Sequence, residues 1–515
     1  MPGPSSEPDR SVIVIGGGPN GLACAHRLAR KGRKVTLLEA AESFGGGARA
    51  LPELAPGLTP SLAHLCWHPD PRVVKEMALE KHGLRWAARA LPTIVLSQGR
   101  ALRIEGAKTT GPDAGAWALL HQRLSRYAAA LEPFRRMAPP RLQARGNAWP
   151  ALIRHFFGIR ALGTREFREL LRLLLINVYD LAQDELSDPA LQAALCFDGV
   201  LGAWAGPRSP NTLILLLDRL AGAADGPALP EGGLPAFASA MQRACAAAGV
   251  DLRSKARVAR ILTESDQVSG VLLESGETLP ARVVISAIGP KATLLDLTGA
   301  AQFDTGLITR LRHHKARGAT AKLHLALSAP PGFRGADLRS RLLLADSPDE
   351  IERAFNPVKY GETPARPVME VLIPTAFARE TGPQLLSANV QFAPSVPKAG
   401  EEAARAALLE ASLNRLEEAA PGIRALITRA DMLMPWDIAR QYGMAGGSWH
   451  HGELSVEQML FNRPVAALSR YATPLCGLWL TGAGTHPGGM SGAAGYNAAE
   501  ALLASKPGFA SGVPA

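Results

Sequence analysis

Four consecutive apolar residues at 12–15 are followed by a glycine cluster, then by apolar residues at helical spacing, then by a second apolar run at 34–38. An unbroken apolar run is the pattern of a strand covered on both faces of a parallel sheet. Leu22, Ala25 and Leu28 recur as one face of a helix does. The opening therefore reads strand, turn, helix, strand. The same grammar returns twice. Residues 229–235, with Gly232 and Gly233, open a predicted helix at 236–248. Strands follow at 250–252, 256–263 and 268–273, and after the turn at Ser275-Gly276-Glu277 comes an apolar strand within 282–290. At the far end, 477–480 reads as a strand and the alanine-rich 493–503 as a helix. The intervening blocks differ. Residues 50–225 read largely helical, with the clearest helix at 164–181. Its stripe is Phe167, Leu170, Leu171, Leu174, Leu175 and Val178, with Arg165, Arg168 and Arg172 off it. Such a stripe reads as core in preference to a membrane-surface face. Residues 300–440 carry strand-like stretches at 322–327 and 368–373.

The glycines give the first unit its chemistry. Gly16, Gly18 and Gly21 fall in the pattern G-x-G-x-x-G, directly after a strand and at the start of a helix. The first makes the tight turn, the second lets backbone approach a pyrophosphate, and the third lets helix and strand lie close. The helix N-terminus offers unpaired N–H groups to that anion. Glu39, at the end of the second strand, is placed to accept from a ribose, and its charge disfavours the 2′-phosphate of NADP. This establishes a dinucleotide site without separating FAD from NAD. Gly45-Gly46-Gly47 follows at once and suggests backbone packed on a ligand, with Arg49 as a phosphate candidate. The tail decides. Residues 481–492, Thr-Gly-Ala-Gly-Thr-His-Pro-Gly-Gly-Met-Ser-Gly, form a second glycine turn before a helix. A dipole end aimed at a ring that gains negative charge on reduction stabilises the reduced form. An isoalloxazine has that need, so the tail favours FAD.

Composition narrows the setting. With 515 residues, two or three domains are expected. No apolar run is long enough to span a bilayer, and residues 1–10 lack the apolar segment of a signal peptide and read as a disordered lead. The five cysteines are widely spaced with no C-x-x-C, which excludes a disulfide scaffold and gives no zinc spacing. A reducing, cytoplasmic setting is the simplest reading. The net charge of +10 comes mostly from arginine. It admits a peripheral place at the inner, anionic face of a membrane. Without a dense basic block, however, scattered surface charge is the preferred reading, and nothing resembles a nucleic-acid-binding module. His450 and His451 are adjacent and so diverge on any regular element, which makes them a poor metal pair, and no metal site is expected.

Together, the Gly16–Gly21 turn with Glu39, the Gly45–Gly47 loop, the Gly232-Gly233 helix start, the strand ending Ser286-Ala287-Ile288-Gly289-Pro290, and the tail from Gly482 through His486-Pro487-Gly488-Gly489 resemble FAD-dependent phytoene desaturase-type oxidoreductases. His451-Gly452-Glu453-Leu454 and Phe461-Asn462-Arg463-Pro464 bring the likeness closest to the branch of pyridine nucleotide-disulfide oxidoreductase domain 2 proteins and desaturase-like carotene ketolases. The resemblance implies an α/β fold. In it a Rossmann-type FAD-binding domain is split over 11–90, 229–298 and 446–505. An α+β substrate domain is interleaved over 91–228 and 299–445, and 506–515 forms a tail. It implies FAD contacts at Gly16, Gly18, Gly21, Glu39, Gly46, Val258, Ala287, Gly484, Gly488 and Gly489, with Pro19, Asn20, Gly47, Gly289, Pro487 and Met490 beside them. It also implies hydride transfer between a small lipophilic substrate (a carotenoid, retinoid or lipid-like molecule) and the flavin, with oxygen, a quinone or NAD(P) as electron acceptor.

Amine oxidases of related type carry Gly-Glu before the final helix and a differently spaced arginine after the glycine loop. Here Ala483-Gly484-Thr485 and Arg49 depart from both, which counts against amine oxidation and puts Arg49 in doubt as a phosphate ligand. A redox-neutral double-bond isomerase and an FAD-bound scaffold without turnover remain as alternatives. No acid–base constellation is evident. His486 and His451 are the candidates for a general base, with a structural role preferred for each.

Overall fold

The computed structural model describes residues 11–67, 69–139, 163–221, 223 and 226–505. Its first sheet has five strands in the order Leu478–Leu480, Val283–Ser286, Ser11–Ile15, Lys34–Leu38 and Asp251–Arg253. Every pairing in it is parallel. Strands more than 460 positions apart thus share one sheet. The reason is burial. Helix Pro19–Arg30 packs on one face with helices Leu234–Ala247 and Ala493–Leu503, around Val12, Val14, Leu22, Leu37 and Ile285. On the other face lie Ile13, Ile15, Leu38 and Val284, covered by the antiparallel sheet of Val258–Glu264, Gln267–Leu273 and Thr278–Pro280. The continuous apolar runs in the sequence are the consequence. This is the Rossmann-type α/β arrangement expected above.

The second large sheet has seven strands. Their order is Ile427–Leu433, Thr320–Leu327, Gln384–Gln391, Val368–Leu372, Arg341–Leu344, Thr93–Ser97 and Arg100–Ile104. One face is apolar: Leu323, Leu325, Val371, Ala388 and Val390 pack under helix Glu401–Ala419. Alternate residues on the opposite face are polar. The register sets Lys322 opposite Asn389, Asn389 opposite Glu370, and His324 opposite Ser387. These side chains are all nearly inaccessible to solvent. A period of two with one polar face normally means that face meets water. Here it is buried: Lys322, Asn389, Glu370 and Ser387 find partners within the protein, whereas neither ring nitrogen of His324 has one.

The predicted helix at 164–181 is two helices, Thr164–Leu173 and Val178–Glu185. Asn177 breaks it: its side chain accepts from the Asp180 N–H at 2.8 Å and caps the second helix. Leu170, Leu173 and Val178 are core, whereas Leu171 and Leu175 are exposed.

The closest helix contact is between Pro19–Arg30 and Ala493–Leu503. A Cβ added to Gly495 would lie 1.9 Å from the Asn20 carbonyl oxygen. Gly495→Ala must therefore push the helices apart, with an expected loss of about 1–3 kcal/mol. Equilibrium denaturation checks this, and an unchanged midpoint would contradict the packing.

Candidate active site

The glycine turn after the first strand is held from several sides. Gly16, with φ +98°, donates its N–H to the Leu38 carbonyl at 2.8 Å. A Cβ on Gly21 would sit 1.9 Å from the Gly16 oxygen. At Gly18 the situation is the reverse, because an added Cβ would meet only the Gly46 Cα, at 3.8 Å. The three glycine requirements thus differ in kind. Gly16 and Gly21 are fixed by the fold, whereas Gly18 faces open space. Glu39 is buried, and its carboxylate accepts the N–H groups of Gly17 and Ala41, each at 2.8 Å. Ala256 donates its N–H to the Glu39 carbonyl at 2.9 Å, which brings the strand of Val258 alongside.

The tail turn meets this first turn directly. Asn20 Nδ2 donates to the Gly489 carbonyl at 2.9 Å, across 469 positions of sequence. Asn20 Oδ1 is buried and has no partner within the protein. Neither Gly489 nor Gly289 has any atom within 4 Å of an added Cβ, and Gly46 lies against Gly18. Ala287 donates to the Ile15 carbonyl at 2.7 Å and closely backs Gly482. Gly484 is packed against Pro290 and Gly488 against Arg463. Met490 Sδ would lie 3.2 Å from a Cβ on Gly47. Open backbone, a helix N-terminus without a side-chain cap at Gly18, and an orphaned polar oxygen between the two turns fit a dinucleotide lying across them.

Beyond this glycine wall opens a cavity whose empty space, counting the part open to solvent, is ≈ 1190 Å³. Pro19, Gly47, Pro487, Gly489 and Met490 line one side of it. Leu62, Leu65, Leu201, Leu215, Phe237 and Met444 make the rest mainly apolar. The stretch from Cys196 to Pro210 contributes Leu201. Its tryptophan, Trp204, instead packs edge-on against Phe355 beneath the Arg317 guanidinium. Two polar groups of residues reach the cavity wall: His64 with Glu370 and Asn389, and Arg219 with Asp218 and Arg135.

The first group is the end of the buried polar ladder. Lys322 Nζ donates to His64 Nδ1 at 2.7 Å and to Asn389 Oδ1 at 3.0 Å. That donation leaves the proton of the neutral imidazole on Nε2, 2.9 Å from Glu370 Oε2. Asn389 Nδ2 also donates to Glu370, at 2.6 Å, and Arg341 Nε donates to the other carboxylate oxygen at 2.6 Å. Arg341 continues to Asp198 and lies over the Trp67 ring. Burial alone would raise the Glu370 carboxyl, but Arg341 and His64 hold it well below the usual range. Burial pushes the Lys322 ammonium well below its ordinary value, with Glu370 opposing. Burial and the charge of Lys322 push His64 down to about 4. None of these residues was singled out from the sequence. The available signal was the alternation at 320–324, which puts Lys322 and His324 on one face of a strand.

The two expected base candidates do not line the cavity. His486 is buried, its Nε2 2.7 Å from the Phe134 carbonyl and its own carbonyl accepting from the Tyr471 hydroxyl. His451 has φ +54° and a buried, unpartnered Nδ1. Its neighbour His450 faces the cavity in its place. Arg49 stacks on Tyr442 at 4.3 Å and donates to the Gln441 carbonyl.

Comparison with known proteins fits this geometry. A family model described as flavin containing amine oxidoreductase matches residues 20–503. The pyridine nucleotide-disulfide oxidoreductase domain-containing protein 2 of Rattus norvegicus is 29% identical, over 96% of this chain and 94% of its own. Hydroxyneurosporene desaturase of Cereibacter sphaeroides is 28% identical, over 96% and 97%. Among solved structures, cyclohexylamine oxidase from Brevibacterium oxydans IH-35A aligns with a TM-score of 0.60 at 19% identity, covering 96% of this chain and 99% of that one.

Among the described residues, seven histidines are held below their ordinary range, each chiefly by burial: His26, His64, His314, His324, His450, His451 and His486. Most fall to about 4, against 6.5 when exposed. Between those values the unfolded chain binds more protons than the folded one. Stability is therefore complete above about pH 6.5 and is lost as pH falls toward 4. Thermal melts across this window should show a steep fall in Tm. A flat profile would mean these imidazoles titrate normally.

Proposed function

The chain belongs to the family of flavin-containing amine oxidoreductases and is an FAD-dependent oxidoreductase, and from that premise we propose that it moves hydride between a small lipophilic, unsaturated substrate and FAD, as a desaturase or dehydrogenase. The observation that carries the reading is the mainly apolar cavity opening from the wall of Gly47, Pro487, Gly489 and Met490. In this reading Gly16, Gly18, Gly21 and Glu39 hold the ADP portion, with Pro19, Asn20, Gly46, Val258, Ala287 and Gly289 alongside. Gly47, Gly484, Pro487, Gly488, Gly489 and Met490 hold the isoalloxazine. Bound FAD supplies the two-electron acceptor. The division into a split FAD domain and an interleaved substrate domain has the support that all strands of the parallel sheet fall in 11–90, 229–298 and 446–505. Those of the seven-stranded sheet fall in 91–228 and 299–445.

The residues of this chain do the rest. The apolar walls exclude water and orient an unsaturated chain against the glycine wall. His64 and Lys322 stand at the polar end, where burial favours the uncharged form of each, and a proton lost from the oxidised substrate is held at His64 Nδ1 or Lys322 Nζ. An amine substrate fits less well. Glu370, the carboxylate of that group, is already neutralised by Arg341 and bonded by His64 and Asn389, so it has little left for an ammonium. The name of the Cereibacter sphaeroides relative supports the same choice.

Supply of such a substrate from a membrane surface has some support as well. No described helix is long and apolar enough to cross a membrane. Leu119, Leu171 and Leu175 are nevertheless exposed, near Arg165, Arg168 and Arg172. Leu119 lies on helix Ala114–Arg135 and Leu171 on helix Thr164–Leu173, and Arg126 and Tyr127 of the first pin the two together on Glu166 of the second; Leu175 follows in the turn after it.

Anaerobic addition of candidate substrates to the FAD-loaded protein tests the reading. Carotenoids, retinoids or unsaturated lipids should bleach the flavin, and simple amines should not. Bleaching by amines alone would replace this reading with amine oxidation. Turnover that needs reduced flavin but passes no net electrons would replace it with isomerisation.

A further inference from the structure

Arg463 is among the most deeply buried side chains of the protein, at 2% exposure. A buried arginine normally meets a carboxylate. This one meets only carbonyl oxygens. Nε and Nη2 donate to the Ala483 carbonyl at 3.2 and 2.7 Å, Nη1 to that of Gln458 at 3.2 Å, and Nη2 to that of His450 at 2.7 Å. Among the described residues it forms no ion pair. The nearest carboxylate felt by its charge, Asp218, is already paired with Arg135. Burial draws its pKa down to about 10, so it remains a cation at neutral pH. Its field reaches four neighbouring imidazoles, His314, His450, His451 and His486, all of which it disfavours in the charged form. The result is a buried cation whose direct hydrogen-bond partners are all neutral carbonyls, with Asp218 acting on it only from a distance.

Its position gives that charge a task. The guanidinium lies directly behind the tail turn, and a Cβ on Gly488 would stand 3.3 Å from Nε. Two of its bonds converge on the Ala483 carbonyl. A cation on that oxygen polarises the 483–484 peptide and strengthens its N–H as a donor on the far side. We propose that Arg463 is a positioning residue that sets the redox balance of the flavin, acting through the 483–488 backbone to favour the reduced, more negative ring. The proposal rests on the assignment of that turn to the isoalloxazine. Uptake of a hydride brings two electrons and one proton and adds one unit of negative charge to the ring, while the substrate carbon is oxidised by the same two electrons. A fixed cation one backbone layer away stabilises that added charge in a low-dielectric setting. This accounts for an arginine in a place where hydrogen bonding alone would need no charge.

Spectroelectrochemical titration of the FAD-saturated protein tests it. Arg463→Gln should make two-electron reduction at least tenfold less favourable, about 30 mV lower in midpoint potential. Arg463→Lys keeps the charge with different bonding and should stay close to the wild type. A flavin-loaded Arg463→Gln protein with the wild-type potential would overturn the proposal. Should the Gln variant not fold, the wild type still provides a test. Sulfite adds its electron pair to the oxidised flavin and places the same negative charge on the ring. It should bleach the visible absorbance of the bound FAD, and failure to do so overturns the proposal. If wild type and Arg463→Gln both take up FAD, yet the variant keeps the wild-type potential and sulfite does not bleach the wild type, the role of Arg463 alone is refuted. If both effects are absent and Gly484, Gly488 and Gly489 also tolerate alanine without change in FAD affinity, the assignment of the turn fails as well.

Discussion

One hydrogen bond ties the molecule together: Asn20 Nδ2 to the Gly489 carbonyl. It joins the glycine turn that starts the chain's first helix to the turn that starts its last described one. The parallel sheet requires this meeting, because its outer strand Leu478–Leu480 lies beside Val283–Ser286, which lies beside Ser11–Ile15. Close contact of the two helices at Gly495 brings their N-terminal ends to one place. Two helix ends and several side-chain-free positions then make a single surface for an anionic, elongated cofactor. Everything proposed about the chemistry depends on that surface having two halves from opposite ends of the chain.

The halves were legible in the sequence because their signals are local. A strand, a glycine turn and a helix are written within about twenty residues, and the physics of each glycine can be read from its place in the turn. The helix at 164–181 was harder, since an apolar stripe does not reveal that Asn177 caps a new helix. The polar end of the cavity was not legible at all. His64, Lys322, Arg341, Glu370 and Asn389 come from the loop at 61–67 and four strands, and only the register of the sheet brings them together. Each is ordinary where it stands, and a polar residue at every second strand position reads as a solvent face. The same limit applied to the adjacent histidines, of which His450, not His451, reaches the cavity.

The buried polar groups also share a logic. In the ladder every charge has a partner, and Glu370 is held ionised between Arg341 and His64. Around the tail turn the arrangement differs, because Arg463 is bonded directly to carbonyl oxygens and to no carboxylate among the described residues. Paired buried charges offset part of each other's desolvation cost and largely cancel each other's field. An unpaired buried charge is costly and projects one. In the proposed reading, directly paired charges stand at the substrate end and a cation without a direct carboxylate partner stands behind the cofactor end.

The claim that the two turns form one FAD site is tested most directly by measuring FAD affinity calorimetrically in Gly18→Ala and Gly489→Ala. Neither added methyl meets protein atoms closer than 3.8 Å; Gly18, at φ −69°, takes alanine without backbone strain, whereas Gly489, at φ +74°, adds the cost of a left-handed alanine, about 1–2 kcal/mol, so its stability is measured alongside. Both should weaken FAD binding at least tenfold while the proteins remain folded. Wild-type affinity in either variant would contradict a cofactor lying across both turns.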